Sequence, residues 1–600
     1  MKNKLYQALL LIFLVAGISS CDYLDIVPDE RPTEEAAFKD KNAAERYLYS
    51  CYAFMPKERR GCYLYQGGDC LTDYDRKFLE GTHTAANIGE FAYWSRMYAG
   101  IRRCYTLINN VDAVPRMEEE LKIIYKAEAN FLIAYYHFML LRAYGPIIIM
   151  DHEVSVSSTE KLKRSPFDVC VKWIADKYDE ACNNGLLAVQ SSSYYGRATQ
   201  LAAKALKARL YLYAASPLFN GNSFYANSSL YDPETNEPLM PLDYNPSKWN
   251  TALTACQEAL TADEQKYTQF QIANESEIPE ECWPKDLIQY ALKMQIMDKK
   301  NMEVIWADTR TEGVYDPQNQ SAPRDPVNGG NSWNGVGPTL DFVKVFYTEN
   351  GLPIDEDPKY YTPDDYFKIG QYEGRTTCNL NLKREPRFYS WVSFHNGYFE
   401  MQREGYNEGR IVTMFRKSDN HGKQNRSTDF SLSGYLVKKW CTPTYDTRNG
   451  FQNYPWPVIR LGELYLNLAE AAAEAGELNI AKTALNKIRE HAGIPTVEES
   501  WEGIATLTKD KLIEIIRQER IIELSFEGHY RWDMARWKEL EHVLGHNPSA
   551  LNTDGVSDED FFRPVVVDRA WKFTSPTHYL LPIADSELNK NTLIVQNPGY

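Results

Sequence analysis

The chain reads as a mostly α-helical protein, with tetratricopeptide-type helix pairs forming a right-handed scaffold and a loop-rich insert containing short β-strands. Three observations lead there. Long stretches toward both ends carry apolar residues at three- and four-residue spacing, the mark of helices with one buried face. Between about 263 and 453 that period fades, Pro, Gly, Asn and Asp rise, and short β-like runs such as EVIWADTR and GRIVTMFRK appear. No Ser/Gly-rich linker or charge block divides the 600 residues, so one large unit with an insertion is expected. The expected organisation is a signal segment over 1–20, an N-terminal helical region over 21–262, an aperiodic insert over 263–453 and a C-terminal region over 454–600 packed with the rest.

The C-terminal region organises the chain. Pro457 suits the first turn of a helix that carries Leu461, Leu464, Leu468 and Ala472 on one face. Gly476 stands where a left-handed cap is wanted. Asn479 is the expected N-cap of a second helix turning Ala481, Leu485, Ile488 and Ala492 inward, with Gly493 and Pro495 as stops. Two such helices joined by a few residues make a tetratricopeptide-type hairpin. In a third helix Glu519, Arg520, Glu523 and Glu527 lie among Ile515, Ile516, Ile522 and Phe526, followed by Arg531, Trp532, Asp533, Arg536 and Trp537. An unpaired buried charge costs several kcal/mol, so these charges must pair. They form either a catalytic carboxylate cluster or an ion-pair lattice locking helices together, and the lattice is the preferred reading.

From the start, Lys2 and Lys4 precede an apolar run from Ala8 to Ile18, the length of a signal-peptide core and too short to span a bilayer. Ile18-Ser19-Ser20-Cys21 resembles a bacterial lipobox, which implies cleavage before Cys21 and acylation of that residue; secretory cleavage leaving a free thiol is the alternative. Several acyl chains anchor firmly where one binds marginally. Thr33 is an N-cap candidate with Glu34 and Glu35 in the first turn, ahead of Ala44, Leu48, Cys51 and Tyr52 on an inward face. Helices are then expected over Tyr93–Asp112, over KAEANFLIAYYHFMLLRAYG ending at Gly145, from Ser165-Pro166 to Ala181, over Arg197–Ser216 and over Lys248–Ala262.

Segments at both ends resemble one family. QERIIELSFEGHYRWDMARW, with VIRLGELYLNLAEAAAEAG and ALNKIREHAG before it and LPIADSELNKN and QNPGY after it, is similar to the C-terminal signature of the SusD/RagB family. CDYLDIVPDERPTEEAAFKDKNAAERYLYSCY resembles that family's beginning. These are cell-surface glycan-binding lipoproteins of Bacteroidetes. The resemblance implies a SusD-like fold, a charged lattice kept as structure, and an outer-membrane protein facing the exterior. It further implies a lid on a SusC-type TonB-dependent transporter, with glycan contacts from loops of the insert and from the loop before the second helix pair.

Composition bears on the ligand. A formal charge of −16 argues against nucleic acid or anionic lipid as partner. The 41 Tyr and 13 Trp exceed what a core requires and suit surfaces that recognise sugars or proteins. Removing Cys21 leaves ten cysteines without a C-x-x-C pair, so a zinc site is not expected, and disulfides or scattered buried thiols are both open. In the loop over Gly61–Glu90, Asp73, Tyr74, Asp75, Arg76 and Phe78 form a polar-aromatic cluster fit for a ligand surface or for packing. The insert holds Trp283, Trp306, Tyr315, Trp333, Tyr347, Trp391, Tyr398 and Tyr406 interleaved with Asp, Asn, Gln and Arg, though about half of its tryptophans are expected to pack inside it. Ring faces cover the C–H groups of a pyranose while amides and carboxylates bond its hydroxyls. Asp73, Tyr74, Asp75, Arg76, Trp94, Trp283, Trp306, Tyr315, Trp333 and Asn334 are therefore the candidate glycan contacts.

Other motifs are weaker. The glycine-rich run from Gly329 to Gly337 lacks the Lys-Ser/Thr of a phosphate loop and reads as a flexible turn presenting Trp333. Asp355-Glu356-Asp357 and Asp364-Asp365 offer oxygen ligands for a structural calcium, but without EF-hand spacing, and no cofactor is expected. His542 and His546 read as a solvated helix end. The expected function is non-catalytic capture of oligo- or polysaccharide for a SusC-type transporter, with no nucleic-acid partner. A surface glycoside hydrolase and a peptide-binding helical-repeat adaptor are the alternatives.

Overall fold

A computed structural model describes residues 34–600 except 65–66, 73–76, 90–92, 156–157, 262–263, 279–283, 312, 314–315, 325–329, 331, 402–409 and 446–451. The signal segment, Cys21, Thr33, Asp73, Tyr74, Asp75, Arg76, Trp283 and Tyr315 lie outside the described residues.

The first half is a row of helices. α1 (Lys41–Tyr52) is capped by Asp40, whose carboxylate accepts from the Ala43 amide at 2.8 Å. Its apolar stripe packs on α2 (Tyr93–Asn110), which packs on α3 (Glu119–Tyr144). At 26 residues α3 is about 39 Å long, and every residue from Ala127 to Tyr144 is buried, so it is the spine of the core. Gly145, at φ 72°, ends it in a conformation that glycine adopts without strain. α4 (Phe167–Asn183), α5 (Gln200–Ala215) and α6 (Ser247–Ala259) continue the row, each on its predecessor. Six alanines of α5, among them Ala202, Ala205 and Ala208, are buried, and their small side chains let both neighbours approach.

The insert is built from short two-stranded pieces. β1 (Cys70–Leu71) pairs antiparallel with β3 (Gly337–Pro338), and β2 (Val304–Asp308) lies between them in sequence. A short helix, α7 (Pro317–Ser321), starts on Asp316, which accepts from the Gln318 amide at 2.9 Å. β4 (Ile369–Tyr372) and β5 (Arg375–Cys378) form a hairpin around Glu373 and Gly374, both at positive φ. This is the two-residue turn that suits strand twist. β6 (Val392–Ser393) pairs with β9 (Leu436–Val437), and β7 (Tyr398–Glu400) with β8 (Arg410–Val412).

The chain then rejoins the helices. β10 (Trp456–Arg460) pairs antiparallel with β2, and α8 (Leu461–Ala475) follows, packed on both α6 and α9 (Leu478–His491). α10 (Lys509–Glu523) closes over α8, and α11 (Tyr530–Trp537) follows. The helix expected from Pro457 thus begins at Leu461, because Trp456, Pro457 and Ile459 find strand partners in the insert. Gly476 caps α8 at φ 89°, as expected. Glu477, rather than Asn479, holds the cap position of α9. All nine described cysteines are free thiols, buried except for the half-buried Cys182. Among the described residues no helix is long and apolar enough to cross a membrane.

Candidate glycan-binding surface

Four of the ten candidate contacts lie among the described residues, and the structure separates them. Trp306 is on β2 and only 2% exposed. Its indole N–H donates to the Gly196 carbonyl at 2.9 Å, and its ring meets Phe131 and Tyr135 of α3 edge-on at 4.9 and 5.0 Å. It is a core residue, since the β2–β10 pairing presses that face of the strand against the spine helix. Trp94, 3% exposed, is edge-on to Tyr98 and Tyr144 and is also core. These two expectations are corrected: neither ring face is available to a sugar.

Trp333 alone of the four is partly exposed. Its segment is pinned rather than loose, for Trp333, Asn334 and Gly335 donate from their amides to the carbonyls of Asn319, Ala322 and Gln320 at 2.8, 3.0 and 2.8 Å. Asn334, fully buried at φ 53°, donates from Nδ2 to the His421 carbonyl at 2.8 Å. It therefore orients Trp333 and does not itself face solvent. The β1–β3 pairing sets Leu71 opposite Gly337, so residues 70–72 run beside the strand that leads out of this turn.

A second part of the surface was only partly foreseen. A depression of about 130 Å³ is lined by Tyr372, Tyr389, Tyr398, Glu373, Arg410 and Lys438. Tyr372 stacks on Tyr389 with ring centroids 5.6 Å apart, and Phe394 meets Tyr372 edge-on at 5.2 Å. Tyr398, singled out among the aromatics of the insert, has the Arg375 and Arg410 guanidinium groups at 4.3 and 3.7 Å from its ring centre and donates its hydroxyl to Glu373 at 2.8 Å. Lys438 is buried beneath and donates to the carbonyls of Tyr389 and Tyr398 at 2.6 and 2.9 Å and to Glu400 at 2.9 Å. Burial lowers its affinity for a proton, against the pull of Glu400. Burial pushes Tyr389 up to about 12, so it remains a neutral phenol at physiological pH. The hairpin turn at Glu373-Gly374 was the sequence signal for Tyr372.

The two parts are joined by one strap of chain. Lys438 lines the depression, and three residues on Cys441 donates from Sγ to the Gln318 carbonyl on α7, under the Trp333 turn. Pro284 also lines the depression.

The dense charge cluster of the C-terminal region lies elsewhere, fully inside. Arg387 pairs with Glu385, Glu519 and Glu523 at 2.6, 2.5 and 3.1 Å, and Arg489 with Glu519 at 3.0 Å. Arg460 spans Glu523 and Glu527 at 2.8 and 2.7 Å, while Asp533 holds Arg520 and Arg536 at 2.9 and 2.8 Å. Burial alone would push Glu523 up, but Arg460 and Arg387 overcome it and hold the carboxyl at about 2. This is the expected ion-pair lattice, closed to substrate. Glu356 is taken up by Lys511 at 2.9 Å, Asp357 by Thr348 and Asn350 at 2.6 and 2.9 Å, and Asp355 by Tyr366 at 2.6 Å. No group of three metal-ligating side chains occurs among the described residues. His542 and His546 are exposed around the end of a five-residue helix.

Residues 299–600 match the family described as SusD family, and residues 72–212 match one described as starch-binding associating with outer membrane. SusD-like protein P38 of Formosa agariphila is 21% identical over 565 residues, spanning 91% of this chain and 93% of that protein. The solved structure of BT4246 is 29% identical and superposes with a TM-score of 0.82, covering 94% of this chain and 100% of that one. A SusD-like carbohydrate binding protein from Bacteroides fragilis shares the fold at 20% identity and a TM-score of 0.67, over 93% and 99% of the two chains. With half its length matched by the family and its helical scaffold shared end to end, the chain belongs to the SusD family.

Proposed function

We propose that this protein is a non-catalytic glycan-binding lipoprotein of the outer cell surface that captures oligo- or polysaccharide and passes it to a SusC-type TonB-dependent transporter. The observation that carries the reading is the depression where tyrosine rings, a glutamate, an arginine and a buried lysine converge, linked through residues 438–441 to a tryptophan turn pinned to α7. Rings cover apolar sugar faces and the polar groups bond hydroxyls. Family membership and a carbohydrate-binding relative support it. The lipobox at Cys21 and the outer-membrane description of the second family match support the location.

Non-catalysis rests on where the carboxylates are. A hydrolase needs two across one sugar, one of them as acid. The dense cluster is sealed in the lattice, and in the depression Glu400 pairs with Lys438 at 2.7 Å and Glu373 with Arg375 at 3.5 Å. Calorimetric titration with a panel of soluble polysaccharides tests the reading. Saturable binding without release of reducing ends is expected. No binding across neutral and acidic glycans, or hydrolysis abolished by Glu373→Gln or Glu400→Gln, would overturn it.

A further inference from the structure

A second aromatic groove, sharing no lining residue with the tyrosine depression, lies on the face made by α1, β2 and the loop before α5. Two depressions, of about 200 and 160 Å³, sit on either side of the ridge Tyr195-Gly196-Arg197. Tyr49, Tyr52 and Thr309 line the first; Gln190, Ser192 and Tyr267 line the second. Tyr49 and Tyr267 are 43% and 40% exposed, and Tyr194 beside them is 40% exposed, so the groove carries solvent-facing phenol rings at three points.

The ridge between them is rigid. The Gly196 carbonyl accepts from the Trp306 indole, and a Cβ at Gly196 would lie 2.5 Å from Thr309 Cγ2 at a φ of 94°, so only glycine fits. Arg197 donates from Nε to both carboxylate oxygens of Glu128 at 3.0 Å, and its guanidinium lies over Tyr194 and Tyr125 at 4.7 and 5.3 Å. Tyr52 donates to Glu128 at 2.6 Å and accepts from the Ala198 amide at 2.9 Å. On the opposite wall Arg310 forks onto Asp308 at 2.9 and 2.6 Å. Both arginines of the groove thus meet a carboxylate inside the protein, phenols, hydroxyls and an amide line the rest, and exposed Lys299 places its ammonium 5.4 Å from the Tyr195 ring centre at the edge. Trp306, packed in the core behind the ridge, holds Gly196 in place through its indole N–H.

From this arrangement we infer a second carbohydrate subsite, for an uncharged stretch of glycan, with one sugar ring on either side of the Tyr195–Arg197 ridge. The inference rests on the glycan-binding reading above and extends it: two separated sites on one scaffold hold a polymer by multivalency, which raises overall affinity by orders of magnitude without new contacts. Neutral sugar is the fitting class because the two arginines that line the groove are already neutralised by Glu128 and Asp308, so binding here should depend little on salt.

The test compares wild type, Tyr49→Ala/Tyr267→Ala and Trp333→Ala against soluble mixed-linkage β-glucan, galactomannan and alginate, and against tetrasaccharides of the two neutral polymers. Both tyrosines are solvent-exposed rings, and circular dichroism checks that the double variant folds. For a neutral polymer, the double variant is expected to bind at least tenfold more weakly and to take up one tetrasaccharide where wild type takes up two. Tetrasaccharide should slow hydrogen exchange over 188–201 and 304–310 in wild type, and 0.5 M salt should leave the affinity unchanged. Wild-type polymer affinity and stoichiometry in the double variant, with Trp333→Ala alone weakened, would overturn the second subsite and leave the proposed function standing. Exclusive, salt-sensitive binding of alginate would overturn it as well. Failure of every glycan to bind wild type would overturn both.

Discussion

Arg460, the last residue of β10, reaches Glu523, the last residue of α10, with its Nη1 2.8 Å from Oε1 and its Nη2 2.7 Å from the Glu523 carbonyl. The same guanidinium holds Glu527 at 2.7 and 2.8 Å. One side chain therefore fixes the strand that anchors the insert to the helix that closes the C-terminal hairpin. It is also what separates the two readings of the charge cluster: a carboxylate saturated by two buried guanidinium groups has neither the room nor the proton for acid catalysis.

The lattice makes stability acid-sensitive in a defined window. Glu523 titrates near 4.5 when unfolded and is held at about 2 when folded, so its contribution is fully present above 4.5 and lost as pH falls from there to about 2. The shift is worth about 3 kcal/mol. Denaturant titrations between pH 7 and 2.5 should show this slope, and Glu523→Gln should flatten it. At neutral pH the variant should lose about 3–5 kcal/mol, because Arg387 and Arg460 are left short of a partner inside. An unchanged slope would remove Glu523 from the account.

Trp306 and Trp333 look alike in sequence and should part in experiment. Trp306→Ala opens a hole between β2 and α3 and should cost about 3–5 kcal/mol of stability. Trp333→Ala should leave the melting temperature within about 2 °C, roughly what a surface substitution within ±0.5 kcal/mol allows, and weaken glycan binding by tenfold or more. Thermal melts and calorimetry on the two variants check this. Full glycan affinity in Trp333→Ala would exclude the α7 turn from the site.

The contrast between those tryptophans shows what the sequence made legible. The helices from α1 to α6 and the hairpin α8–α9 were readable because their signal is local: apolar residues every third or fourth position and Gly476 at an end. In the insert the runs EVIWADTR and GRIVTMFRK do carry strands, β2 and β8, but their pairing was not readable, because strands of two to five residues can find partners far away, β2 with β10 some 150 residues on. A five-residue strand shows too little alternation to say which ring points in, so Trp306 passed for a surface residue. The carboxylate cluster was legible as paired charges, since apolar neighbours at helical spacing force pairing. Its partners Arg387, Lys439 and Arg460 come from the insert and β10, and nothing local announces them.

The lipobox-like run Ile18-Ser19-Ser20-Cys21 gives a prediction about location. Cys21→Ser should abolish labelling with a clickable palmitate analogue and release the protein from the membrane fraction, with the folded body unchanged by circular dichroism. Extracellular protease should degrade the wild-type protein on intact cells. Persistent membrane association of the variant would show that Cys21 is not the anchor.

Lys293 supplies the last test, because it is a buried cation whose replacement should help. Its Nζ is fully buried beneath the tyrosine depression, packs over Phe399 at 5.7 Å and donates to the Lys438 carbonyl. Among the described residues no carboxylate stands within 4 Å of it, Glu400 being engaged by Lys438. Burial lowers its pKa from 10.5 to about 8, with Glu400 pulling the other way. A base lowered on folding opposes folding while protonated. Wild-type stability should therefore rise by about 3 kcal/mol as pH climbs from 8 to 10.5, the range where the unfolded chain still holds a proton that the folded protein has released. Lys293→Met keeps the length of the side chain and removes the charge. It should be more stable than wild type at pH 7 by about 1–3 kcal/mol, less whatever the lost hydrogen bond to Lys438 contributed. Above pH 10 that advantage should vanish, because there wild type buries no charge either. Urea titrations at pH 7 and 10 on both proteins read this out. A variant less stable than wild type at pH 7 would mean that the Lys293–Lys438 hydrogen bond outweighs the cost of burying its charge.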